Sequence, residues 1–204
     1  MTAFFLVRHG AHKLLDLVLT GRMPGVELDD HGRAQAREAA EHLAGERISL
    51  VQSSPQPRTR DTAAVIAERA NVALEIAAGI DEIDMGDWTG RSFASLREDP
   101  DWRRWNEARG SSRPPHGESM HELQQRILAH LEHTAKAHPD GRIAIVSHAE
   151  VIRAALLHVL KIDVNEFWRV EVAPGSISTV VMRAGAADVL ALNVKLPTPE
   201  VVVA

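Results

Sequence analysis

Three polar clusters stand out in the sequence: Arg8-His9-Gly10, Ser53-Ser54-Pro55 leading to Arg58, and Ser147-His148. Each follows a short apolar run, where a buried strand ends and a loop begins. If those strands are neighbours, two imidazoles and two guanidiniums meet at one point. Guanidinium forks match phosphate oxygens and stay charged at any working pH, so such a point is built to hold a phosphate. Glu82 offers a carboxylate for proton transfer. Asp81, Asp84 and Asp87 stand close to it and compete for that role, and a solvated acidic loop is the plainer alternative.

The elements that must position these groups follow from the hydrophobic pattern. Residues 3–7 form a continuous apolar run, read as a strand. Residues 30–43 repeat Ala and Leu at helical spacing, with Asp29 placed to cap the start and Gly45 just past the end. A strand is expected at 50–52, a helix at 58–69 entered through Pro55 and Pro57, and a strand at 73–76. Residues 81–115 are irregular and rich in Gly, Pro and Trp, a lid or crossover with one short helix near 101–109. Ser119 and Glu122 make a capping box for a helix running to about residue 137. The clearest buried strand, 143–146, leads into His148 and a helix at 151–160, whose N-terminal dipole suits an anion. Strands at 168–172, 176–182 and 189–194 complete the chain.

Strands alternating with helices imply an α/β protein, a three-layer α/β/α sandwich whose central sheet is mostly parallel with antiparallel additions. Ligands then belong at the C-terminal ends of the parallel strands. The 204 residues are expected to form a single domain, 1–204, with 197–204 a loose tail.

Composition removes several classes. Without cysteine there is no disulfide framework, no cysteine-held zinc and no thiolate nucleophile. A net charge of −5 gives no basic field, which argues against nucleic acid as a partner. The apolar stretch 4–7 is far shorter than a signal-peptide core, and no run nears the roughly 20 apolar residues of a membrane span. A cytoplasmic protein is expected, acting on a small phosphorylated substrate, with a homodimer as the one macromolecular association. There is no Gly-x-Ser-x-Gly elbow and no phosphate loop ending in Lys-Ser or Lys-Thr. Among the 11 histidines, His130 and His133 share a helix face that reads as solvated; no metal and no cofactor are expected. Of Trp88, Trp102, Trp105 and Trp168, only Trp88 is expected near the site, and the others read as packing.

The motifs also resemble a known family. Leu6-Val-Arg-His-Gly10, Ser53-Ser-Pro-Gln-Pro-Arg58 with Asp61-Thr-Ala63, Glu82-Ile-Asp-Met-Gly86-Asp-Trp, Gly117-Glu-Ser119 and Val146-Ser-His-Ala149 together look like the histidine phosphatase superfamily, also called phosphoglycerate mutase-like. They occur in the family's order and span about residues 3 to 195. The resemblance implies a phosphohistidine mechanism. His9 would be the nucleophile, Arg8, Arg58 and His148 the rest of the phosphate pocket, and Glu82 the proton donor to the leaving oxygen. Ala149, next to His148, would contact substrate. Arg22 reads evenly as a further phosphate or substrate ligand and as a surface residue. Glu118 and Ser119 read as a helix start with a side chain facing the pocket.

After Arg-His-Gly the family usually continues with Glu-Thr or Glu-Ser and then Trp-Asn, whose amide helps hold phosphate. Here Ala11-His-Lys-Leu-Leu15 stands instead, so that contact is missing or supplied elsewhere. The implied activity is phosphomonoester hydrolysis. A cofactor-dependent phosphoglycerate mutase would share every catalytic residue, and a non-catalytic phosphate-binding regulator is the alternative from another class, against which the retention of both His9 and Glu82 argues.

Overall fold

The structure is a computed structural model and describes residues 1–183 and 185–197. In chain order the main elements are β1 (Thr2–Arg8), α1 (Asp30–Leu43), β2 (Leu50–Ser53), α2 (Pro57–Ala70), β3 (Leu74–Ile76), α3 (Phe93–Arg97), α4 (Pro100–Glu107), α5 (Met120–Ala137), β4 (Arg142–Ser147), α6 (Ala149–Val159), β5 (Ile177–Arg183) and β6 (Ala186–Val194). The six strands form one sheet in the order β3-β2-β4-β1-β5-β6. β3, β2, β4 and β1 run parallel, and β5 and β6 add on antiparallel. The expected adjacency of β1 and β4 holds, with Arg8 in register with Ser147.

The continuous apolar runs are explained by burial of both faces. Along β1, Phe4 and Leu6 join one core with Ile143 and Ile145 of β4, while Ala3, Phe5 and Val7 join the other with Ala144 and Val146. Helices α1 and α2 close the second core through Ala39, Leu43, Ala63 and Ile66. Helices α5 and α6 close the first through Leu123, Ile127, Leu131, Ala155 and Leu156. Burial of each large side chain contributes about 1.5–3 kcal/mol, and this three-layer packing fixes the strand ends that carry the polar clusters.

Local signals act as expected at most boundaries. Asp29 accepts from the Gly32 N–H to cap α1, and Ser119 with Glu122 forms a reciprocal capping box at α5. The end of α1 differs: a short 3-10 turn, Ala44–Glu46, follows it, and the left-handed residue is Arg47, not Gly45. The strand expected at 168–172 is also corrected. A 3-10 turn, Val164–Arg169, capped by Asp163, occupies part of it. Val170 and Val172 are buried, which produces the alternation, but the segment pairs with none of the six strands. Of the tail expected at 197–204, residues 198–204 lie outside the described residues. Among the described residues no helix is long and apolar enough to cross a membrane.

Candidate active site

Polar residues gather at the C-terminal ends of β1, β2 and β4, around a cavity of 210 Å³ bordered by Arg8, His9, His12, Glu82, Ala149 and Glu150 among others. His9 follows β1 directly, and its backbone N–H is held by the Ser147 carbonyl at 3.0 Å. Its Nδ1 lies 2.7 Å from the Gly10 carbonyl, so Nδ1 carries the proton. Nε2 is thereby left as a lone pair, facing the Arg58 Nε–H at 3.3 Å. Burial first, then the charges of Arg58 and Arg8, hold the ring well below its ordinary pKa. His9 is therefore a neutral imidazole whose free nitrogen is fixed in direction.

Arg58 enters in the first turn of α2 and is fully buried. Its Nη2 donates to the Gly21 carbonyl at 2.7 Å and to His148 Nδ1 at 3.2 Å, while Nη1 has no partner. Arg8 gives Nη1 to the Val172 carbonyl at 2.7 Å and leaves Nε buried without a partner. Buried donors of this kind are costly unless a ligand satisfies them.

His148 caps α6, and no side chain caps that helix. Because Arg58 can only donate, His148 Nδ1 accepts and its proton lies on Nε2. That N–H reaches Ser54 Oγ at 2.8 Å, and the Ser54 hydroxyl donates onward to Asp81 at 3.0 Å. The His9 and His148 rings stand edge to face, with centroids 5.2 Å apart.

Glu82 lies on the loop that crosses the strand ends, tied down where Ser147 Oγ donates to the Ile80 carbonyl at 2.8 Å. Gly86 pins the far side: it has φ of 49°, and a Cβ there would stand 2.0 Å from the Pro115 carbonyl oxygen. Burial raises Glu82 to about 7, against the opposing charge of Arg58. Its Oε2 is 3.6 Å from His148 Nδ1. A carboxyl that holds its proton near neutrality is suited to act as a general acid.

Arg22 serves the loop rather than bordering the cavity. Its Nε donates to the Glu82 carbonyl at 2.7 Å and Nη2 to Glu118 at 3.2 Å, with Asp81 and Asp84 within 3.7 Å. Glu118 does not face the cavity either; it binds Arg22, Arg126 and the Asp84 N–H. Trp88 is 1% exposed in the core, and the tryptophans bordering the cavity are Trp102 and Trp105, which pack edge to face on it. Trp88 is thus a correction: proximity in sequence to Glu82 places it beneath the loop.

A model of the histidine phosphatase superfamily, branch 1, matches residues 4–195. The chain belongs to this family. Phosphoserine phosphatase 1 of Hydrogenobacter thermophilus is 31% identical over 199 residues, covering 95% of this chain and 93% of the relative. Glucosyl-3-phosphoglycerate phosphatase of Mycobacterium tuberculosis is 30% identical over 171 residues, covering 78% and 75%. The crystal structure of Entamoeba histolytica phosphoserine phosphatase in complex with 3-phosphoglyceric acid shares the fold with a TM-score of 0.85 at 26% identity, covering 96% and 98%. The chain is a histidine-dependent phosphatase of small phosphate esters.

Three residues bordering the phosphatase cavity escape a reading by motif. His12 is 5% exposed beside His9. Glu150 binds Arg109 at 2.7 Å and also Arg153. Arg109 lies over the rings of Trp105 and Phe167, at 4.0 and 3.4 Å from their centroids. Glu150 had one available signal, its place two residues after His148 at a helix start; Arg109 and Phe167 come from remote segments and had none.

Proposed function

We propose that this phosphatase cleaves a small phosphate monoester by two in-line transfers through phosphohistidine at His9, without a metal ion. In the first, His9 Nε2 forms a bond to phosphorus while the ester P–O bond breaks, and the leaving oxygen takes the Glu82 proton. In the second, Glu82 carboxylate takes a proton from water as the water oxygen bonds phosphorus. The P–N bond breaks, its electron pair returns to Nε2, and orthophosphate leaves. The Nδ1–H bond to the Gly10 carbonyl stabilises the charge that the ring gains as phosphohistidine. Arg8 and Arg58, with the first turn of α6 at Ala149, offset charge on the nonbridging oxygens, the contribution phosphoryl transfer relies on most. His148 accepts from Arg58 at 3.2 Å and so orients that guanidinium in the phosphate pocket.

The observation that carries this reading is the fixed tautomer of His9, with its lone pair directed at the buried guanidinium of Arg58. The mutase alternative draws less support, since both curated relatives described above are phosphatases. The purified protein should release orthophosphate from a panel containing phosphoserine, 3-phosphoglycerate and p-nitrophenyl phosphate, at rates unchanged by EDTA. Activity lost in EDTA and restored by a divalent ion would refute the metal-free mechanism. Isomerisation of 3-phosphoglycerate faster than its hydrolysis would favour the mutase.

A further inference from the structure

His12 has no part in the mechanism above, yet its loop is firmly held. The Gly10 N–H donates to Thr62 Oγ1 at 3.2 Å and the Ala11 N–H to Gln35 Oε1 at 2.8 Å. The Ala11 carbonyl accepts from the Asp29 N–H at 3.1 Å. Gly10 and Gly32 let the loop lie directly on the start of α1. A Cβ on Gly10 would stand 2.3 Å from the Gly32 carbonyl oxygen, and one on Gly32 2.0 Å from that of Ala11.

The His12 ring, fixed in this way, stacks on His9 with centroids 5.6 Å apart and borders the cavity. Its Nδ1 is buried and has no partner. Buried polar atoms are almost always satisfied, so an orphan nitrogen beside the nucleophile implies a partner that arrives with the ligand. Burial, then the charges of Arg58 and Arg8, lowers the ring to about 4, so His12 is neutral and offers one N–H. Of the polar residues that follow, Lys13 is exposed and Asp16 borders the cavity with a carboxylate that would repel an anion, so His12 is the donor this loop offers there.

We propose that His12 is a substrate-binding residue that donates a ring N–H to a nonbridging oxygen of the phosphoryl group transferred to His9. The assignment rests on the phosphohistidine reading above and adds a phosphate contact to it. The phosphoryl group is its target because the ring lies beside His9, whereas Phe93, Trp102 and Trp105 line the cavity with aromatic surface suited to the alcohol part.

The test uses orthophosphate as a competitive inhibitor of p-nitrophenyl phosphate hydrolysis. His12→Phe keeps a ring and removes the donor; His12→Asn keeps a short N–H donor. Loss of one hydrogen bond to a charged group should weaken orthophosphate binding by roughly 10- to 100-fold in His12→Phe and raise KM with it, with part of the loss restored in His12→Asn. The melting temperature should be unchanged. A folded His12→Phe with wild-type orthophosphate inhibition overturns the proposal. So does a rise in KM for bulky esters alone, which would place His12 against the alcohol. Should His12→Phe not fold, histidine nitrogen NMR of the wild type decides, because the His12 ring N–H signal must move on addition of orthophosphate and a fixed signal overturns the assignment. A wild-type protein that neither hydrolyses esters nor binds orthophosphate would instead overturn the functional reading on which this one rests.

Discussion

Glu82 and Glu150 border the same cavity, and their surroundings push them in opposite directions. Glu82 sits on the crossing loop, where burial prevails and raises it to about 7. Burial also raises Glu150, but Arg109 and Arg153 outweigh it and hold the carboxyl at about 2. The difference separates a group that can exchange a proton from one whose charge is spent on structure. The arginines divide the same way. Arg109 and Arg153 bind a carboxylate, whereas Arg8 and Arg58 donate to carbonyls and neutral histidines, and each of these two keeps, as Arg109 does, a buried donor nitrogen unpaired. Charge left uncompensated inside a protein is costly, and on the proposed mechanism the phosphate of the substrate offsets it.

Exchanging each carboxylate for its amide probes that division. Glu82→Gln should slow an alkyl phosphate by about 10²- to 10⁴-fold, the usual contribution of a positioned acid, while p-nitrophenyl phosphate is slowed far less because its leaving group needs no proton. Equal losses on both esters would move the acid elsewhere, with Asp84 next in line. Glu150→Gln should chiefly destabilise, by about 3–5 kcal/mol, since it strips the partner from two guanidiniums. A denaturant midpoint like that of the wild type would show that the pair is not structural.

A smaller effect comes from pH. Glu82 must be protonated to donate, so kcat/KM for an alkyl ester should fall as pH rises through about 7, roughly tenfold per unit beyond it. Stability should show the reverse sign at Glu150, whose folded pKa lies below its unfolded value. Its contribution, roughly 3 kcal/mol from the size of that shift, is complete above the unfolded carboxylate pKa and lost as pH falls toward about 2. A pH profile of kcat/KM with no limb near 7 would remove Glu82 from the acid role.

Much of this arrangement is legible in the sequence, for identifiable reasons. β1 and β4 are buried on both faces, so each reads as an unbroken apolar run, and the polar residues after them mark the strand ends. His9, His148 and Arg58 are found that way. The segment 168–172 misleads because Val170 and Val172 are buried in alternation while the segment pairs with no strand. Trp88 misleads because a residue near Glu82 in the chain packs inward while Trp102 and Trp105, farther along, line the cavity. The Arg109–Glu150 bond joins residues 41 positions apart, and the unpartnered state of His12 is a property of three-dimensional burial; no local pattern encodes either.

The central claim is that His9 carries the phosphoryl group, and trapping that intermediate tests it most directly. Enzyme quenched during turnover of a ³²P-labelled ester should carry label that survives base and is lost in acid, mapping to the peptide containing His9. His9→Ala should carry none and turn over no ester while keeping its melting temperature. Label that survives acid, or ordinary turnover by His9→Ala, would contradict the account.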